Sequence, residues 1–239
     1  MGNIFHSDNL DSDFANFQKA ILKTNKFKFS VTPEVKPHFK KYHRLTYVMA
    51  LLENKLEEKF KEENKFLFIN EILSDLLSNA SLTFIGFYYS SQILLRRFIE
   101  NFYNHVYYFE HPVEYEFLNL GRNDYTPMIE LKNYFEAHPI IKSLSDPNIK
   151  LSNNSIFLHY QELCKTVHTK GEDFMGLAKN ILEIKPDFNI VSHLEALNKT
   201  LSCIIYLLFK FHSDITFTHV EIDLIAKSFP RNMRQQLLS

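Results

Sequence analysis

The stretch from about Ser81 to Phe109 constrains the fold more than any other part of the sequence. It contains no proline and a single glycine, Gly86, and it reads as a long helix with aromatic residues around much of its circumference: Phe84, Phe87, Tyr88, Phe98, Phe102, Tyr103, Tyr107 and Tyr108. A helix that apolar has to be enclosed by other elements, so the rest of the chain is expected to wrap around it. The turn-forming residues agree. Five Gly and eight Pro stand against 23 Phe and 12 Tyr, too few for the many tight turns of a β-sandwich or barrel and too few glycines for a phosphate-cradling nucleotide fold. The expected class is all-α, a single-domain helical bundle around one long central helix.

Residues 1–37 read as an N-terminal helix and an extended arm, 38–211 as the bundle core, and 212–239 as a C-terminal helix and basic tail. Asp11 and Asp13 are N-cap candidates for the first helix, with Phe14, Phe17, Ile21 and Leu22 at helical spacing. Prolines break the pattern at 27–37. From about His38 to Asn64, Tyr47, Leu51, Leu52, Leu56 and Phe60 form an apolar stripe opposite alternating Glu and Lys. Residues 66–77 and 81–109 form two helices, or one with a break near Asn79, and His111-Pro112 ends the second. Short helices are predicted at 113–119 and 127–137. A polar loop with Pro139, Pro147 and Asn153-Asn154 follows, then helices at 155–168, 173–183, 189–211 and about 218–228.

Lys plus Arg number 27 and Asp plus Glu 28, so no overall field marks the chain as a coat for duplex nucleic acid, although a local basic patch remains open. Cys164 and Cys203 are too few and too far apart for a disulfide framework or a structural zinc, which points to a reducing cytoplasm. The polar, acidic start is unlike a secretory signal, and His6 departs from the myristoylation pattern. The longest charge-free window, Leu76 to Leu95, holds Ser78, Asn79, Ser81, Thr83, Ser90, Ser91 and Gln92. It is too polar for an isolated membrane span and suits a helix buried in protein, so no membrane association is expected.

Arg96, Arg97, Glu100 and Asn101 interrupt the central helix. At 100° per residue, Arg97, Asn101 and His105 lie within about 80° of one another, while Glu100 can pair with either arginine. Charges inside an apolar helix are costly unless paired. Two readings follow. In the structural one, an Arg–Glu pair ties the helix to a neighbour and His105 bonds a carbonyl. In the chemical one, an arginine holds a phosphodiester, Asn101 orients it, and a histidine works as acid or base. Tyr160 and His168 flank the end of a later helix, LHYQELCKTVH, where His168 precedes a glycine turn.

An all-helical chain with one helix reading GFYYSSQILLRRFIEN and a later one reading YQELCKTVH resembles the HEPN superfamily of bacterial toxin–antitoxin and antiphage systems over roughly residues 40–210. The resemblance implies a homodimer and, in many members, a metal-independent ribonuclease whose Arg and His line one cleft. Carried onto this chain, that gives Arg97, His105 and His168 as catalytic residues, with Arg96, Glu100, Asn101 and Tyr160 binding substrate or supporting the site. The superfamily's motif places four to six residues between Arg and His, whereas seven separate Arg97 from His105 and eight separate Arg96 from it. The chain therefore either combines an Arg and a His from different helices or is a non-catalytic module that binds a partner defence or toxin protein. No cofactor is implied. Glu-x-x-His, His-Glu-x-x-His, Gly-x-Ser-x-Gly and the glycine-rich nucleotide loops are all absent, and the scattered histidines, including His111, His138, His159 and His168, need no metal to explain them.

Overall fold

A computed structural model describes residues 10–24, 32–61, 67–84, 87–122, 126–167 and 190–237. These residues form eleven α-helices and, among the described residues, no strand: α1 (Leu10–Thr24), α2 (Lys36–Phe60), α3 (Leu67–Phe84), α4 (Tyr88–Glu110), α5 (Pro112–Asn119), α6 (Met128–Ala137), α7 (Pro139–Ser143), α8 (Pro147–Val167), α9 (Ile190–Phe211), α10 (His219–Ser228) and α11 (Arg231–Leu237). The chain is all-α. The predicted helix at 173–183 lies outside the described residues.

The five long helices close a ring. α2 packs on α3, α3 on α4, α4 on α8, α8 on α9, and α9 returns to α2, while α4 also reaches α9 across the interior. One continuous hydrophobic core fills the ring. α4 touches five other helices, and its second half is buried at Phe98, Ile99, Phe102, Tyr103 and Val106. α9 is enclosed still more completely. Every residue from Leu201 to Phe209 is buried, as a run reading LSCIIYLLF requires, because no turn of it offers a polar face to water.

Local signals set the helix ends. Thr218 accepts a hydrogen bond from the Glu221 backbone N–H at 3.3 Å, and Glu221 accepts one from the Thr218 N–H at 2.6 Å, the reciprocal cap that starts α10. After α5 the Arg122 N–H donates to Phe117 O at 2.8 Å and the Gly121 N–H to Leu118 O at 3.0 Å, with Gly121 at φ 64°. This closure needs a left-handed residue, which glycine supplies without a Cβ clash.

Three sequence expectations need correction. Pro139 and Pro147 do not belong to a loop; each opens a helix, α7 and α8, where the missing N–H is not needed. Asn153 is buried within α8, accepting from Tyr103 Oη at 2.6 Å and donating to Glu136 Oε1 at 2.9 Å. Asn79 does not break a helix. It sits inside α3 and its amide donates to Ser91 O at 2.6 Å, so it clasps α3 to α4. Asp13 is not a cap either; it lies in the first turn of α1, buried, with its carboxylate 2.7 Å from His43 Nε2 on α2. The predicted basic tail is helix α11.

The polar residues of the charge-free window are used internally. Thr83 Oγ1 lies 2.9 Å from Ser91 Oγ, which lies 2.9 Å from His193 Nε2 on α9. All three side chains are buried, and burial pushes His193 down to about 4, so the ring is neutral at physiological pH. No helix among the described residues is long and apolar enough to cross a membrane.

Candidate functional site on the central helix

Adjacent residues on a helix point 100° apart, and Arg96 and Arg97 leave α4 toward different neighbours. Arg96 turns to α8. Its Nε donates to Glu100 Oε1 at 3.0 Å, its guanidinium lies 5.6 Å from the centre of the Tyr160 ring, and Tyr160 Oη donates to the same Glu100 oxygen at 3.2 Å. Burial works against the charged guanidinium, but Glu100 and Tyr160 outweigh it and hold Arg96 above its ordinary value. Of the two arginines within reach of Glu100, Arg96 is therefore the one that pairs. Tyr160 completes a three-residue clamp between α4 and α8.

Arg97 turns to α3. Its Nη2 pairs with Glu71, and its Nε lies 3.2 Å from Asp75 Oδ2. Asn101, one turn on, donates to that same Asp75 oxygen at 3.1 Å. The guanidinium is half exposed while the Asp75 side chain is 4% exposed, so the cluster has a wet rim and a dry base. Burial pushes the Asp75 carboxyl up to about 6, against the pull of the Asn101 amide. Water around the exposed guanidinium screens its attraction and leaves that rise in place.

His105 continues the stripe of Arg97 and Asn101 but sits about 12 Å along the axis from Arg97 at 1.5 Å per residue. It faces inward. Its Nε2 lies 2.8 Å from His212 Nε2, just beyond the end of α9, and Phe109 and Phe211 ring the pair. Burial pushes both rings down, His105 well below its ordinary value and His212 to about 3. Two neutral imidazoles thus share one hydrogen bond, one Nε2–H donating to the other's lone pair. His105 Nδ1 is buried and makes no hydrogen bond.

The structure thus joins Arg97 with Asn101 through Asp75, joins Arg96 with Glu100 and Tyr160, and places His105 in a separate apolar enclosure. His168 lies outside the described residues. Glu71, Asp75 and His212 were missed in the sequence; an Asp and a Glu four apart inside the apolar run FLFINEILSDLL were the available signal for the first two. Among the described residues, no group of three His, Cys, Asp or Glu side chains is placed to hold a metal ion. His159 Nδ1 lies 2.6 Å from Thr200 Oγ1, and His111 Nδ1 is 2.7 Å from Tyr107 O, so these two rings serve different elements. Cys164 and Cys203 are both free thiols.

A second feature stands apart from these clusters. α5 contains no buried residue. Val113, Phe117 and Leu120 fall within about 60° on one face at 100° per residue, and they are 61%, 45% and 61% exposed. Glu116 is exposed beside this stripe on α5, Glu110 is exposed at the end of α4 just before it in the chain, and the charges of Glu114 and Glu130 both act on the Tyr107 hydroxyl. The result is an apolar stripe with an acidic rim. No protein-family model matches the chain, and comparison with curated proteins and with solved structures finds no match.

Proposed function

We propose that this chain is a non-catalytic helical interaction module, acting in the bacterial defence or toxin–antitoxin setting that the HEPN-like sequence pattern implies, and that α5 is its docking helix. The observation that carries the reading is the apolar stripe Val113, Phe117 and Leu120 standing in solvent on a helix that buries none of its own residues. Contiguous apolar surface on a helix is costly to keep exposed, and a polar rim around it is the usual layout of an interface. The charges in the middle of α4 support the same reading: Arg97 pairs with Glu71 and Asp75 on α3, Arg96 and Glu100 pair with each other and meet Tyr160 on α8, and His105 is turned away from the arginines. Two copies meeting α5 to α5 would oppose Glu110, Glu114 and Glu116 with their own counterparts, so the rim favours a partner surface of opposite charge.

A photo-crosslinking residue in place of Phe117, with a second at the exposed Lys150 as a control, tests this in cells. The expected result is a discrete protein–protein adduct from position 117, absent from position 150 and lost when Val113→Asp and Leu120→Asp are added. Equal yields from the two positions would contradict it.

A ribonuclease reading has one observation in its favour, the half-exposed Arg97 guanidinium next to a carboxyl that titrates near 6. It asks the guanidinium to leave Glu71 and Asp75 for a phosphate, and it needs a proton-transfer group other than the enclosed His105.

A further inference from the structure

α2 opens with an arrangement that ordinary helix electrostatics disfavours. Its first turn has no acidic residue and begins on Lys36, where the helix dipole is already positive, and Lys40, Lys41 and Arg44 add further cations over the next two turns. α1 offsets part of this, since Asp11 pairs with Lys40. Lys40, Lys41 and Arg44 face a groove of about 490 Å³ between the start of α2 and the junction of α10 with α11. Lys40, Lys41, Arg44 and Lys227 form its rim, and the exposed Pro37 and Pro230 are its accessible apolar walls. No acidic side chain lines it. Lys227 pairs with Asp223 at 2.5 Å, but both side chains are about 60% exposed, so the pair is readily exchanged. Arg44 Nε is buried and makes no hydrogen bond. The groove offers no open aromatic face for stacking bases, because Phe229 is 3% exposed, which sets it apart from single-strand nucleic-acid platforms.

The ligand this groove fits is an acidic segment with apolar anchors, and the molecule carries one. We infer that α5 of a second copy docks in the α2–α10–α11 groove, with Phe117 and its stripe against the apolar walls and the α5 glutamates against Lys40, Lys41 and Arg44. This inference rests on the reading of α5 as the docking helix and names its partner. The two surfaces differ, so the contact is heterologous: each copy offers one α5 and one groove, and association proceeds head to tail. Opposite charges on the two faces steer the encounter and make it sensitive to salt.

Complementation between two variants of the full chain tests it. Phe117→Asp spoils α5 and leaves the groove; Lys41→Glu with Arg44→Glu spoils the groove and leaves α5. By light scattering, the wild type is expected to gain mass with concentration at low salt and to lose it at 0.5 M NaCl, and each variant alone to associate about thirtyfold more weakly, the usual loss at an interface hot spot. An equimolar mixture of the two variants is expected to form a 1:1 dimer and nothing larger, because one intact interface remains; that dimer also shows that both variants are folded. A wild type that stays monomeric at all concentrations, or a mixture that behaves as its separate components, would overturn the inference. A monomeric wild type that still gives a discrete adduct from position 117 would leave α5 as a docking helix for another protein, whereas equal yields from positions 117 and 150 would remove that reading as well.

Discussion

His105 and His212 meet Nε2 to Nε2 at 2.8 Å inside the bundle, one from the last third of α4 and the other from just past the end of α9, and neither is exposed by more than 2%. Their contact places a polar seam between the two most enclosed helices. Each ring is kept neutral by burial, and the bond between them needs at least one ring to keep its lone pair.

That seam makes the fold acid-sensitive. An imidazole free in the unfolded chain takes up a proton near pH 6.5, whereas His105, His212 and His193 resist protonation in the folded state. Below pH 6.5 the unfolded chain therefore binds more protons and stability falls, by about 2 kcal/mol per such histidine between pH 6.5 and pH 5. The urea midpoint of the wild type is expected to drop over that interval. In a His105→Leu, His212→Leu double variant the drop should shrink, because two of the contributing histidines are gone. His105→Ala alone is expected to cost about 3 kcal/mol at pH 7.5, through the cavity and the stranded His212.

Asp75 has the opposite sign. Its carboxyl ionises near 6 in the folded chain and near 3.8 otherwise, so between those values the folded state keeps a proton the unfolded state has lost. Stability contributed by this residue falls as pH rises through the window. Asp75→Asn cannot ionise and escapes that loss. The difference in melting temperature between Asp75→Asn and wild type is expected to become more favourable to the variant from pH 4 to pH 7.5; a constant or reversed difference would contradict the buried-carboxyl account.

The Gly121 turn isolates a backbone effect. A Cβ added there meets nothing within 4 Å, so the cost of Gly121→Ala comes only from the left-handed backbone at φ 64°. Chemical denaturation should show a loss of about 1 kcal/mol for alanine and less for asparagine, which tolerates that conformation better.

Much of the fold could be read from local pattern. The apolar stripe of α2, the uninterrupted run of α9 and the Thr218–Glu221 cap of α10 each follow from residues close in sequence. Pro139 and Pro147 misled because a proline signals a loop and the first residue of a helix equally well, and for α8 it is the buried contacts of Asn153 with Tyr103 and Glu136, distant in sequence, that hold the segment in the bundle. At the site, the Arg96–Glu100 pair and the shared face of Arg97 and Asn101 were legible because they lie within one helix. Asp75, on which Arg97 and Asn101 converge, comes from another helix 26 residues from Asn101, and His212 lies 107 residues from His105. Period and spacing carry no information about which distant residue closes a cluster.

On the proposed reading, the charged groups of α4 hold helices together and do not cleave RNA. Incubating total RNA with the purified full chain in EDTA, beside Arg97→Ala and His168→Ala variants, tests it most directly. The expected result is one fragment pattern for wild type, both variants and buffer. Cleavage by the wild type that disappears in Arg97→Ala, with the variant still folded by circular dichroism, would contradict it.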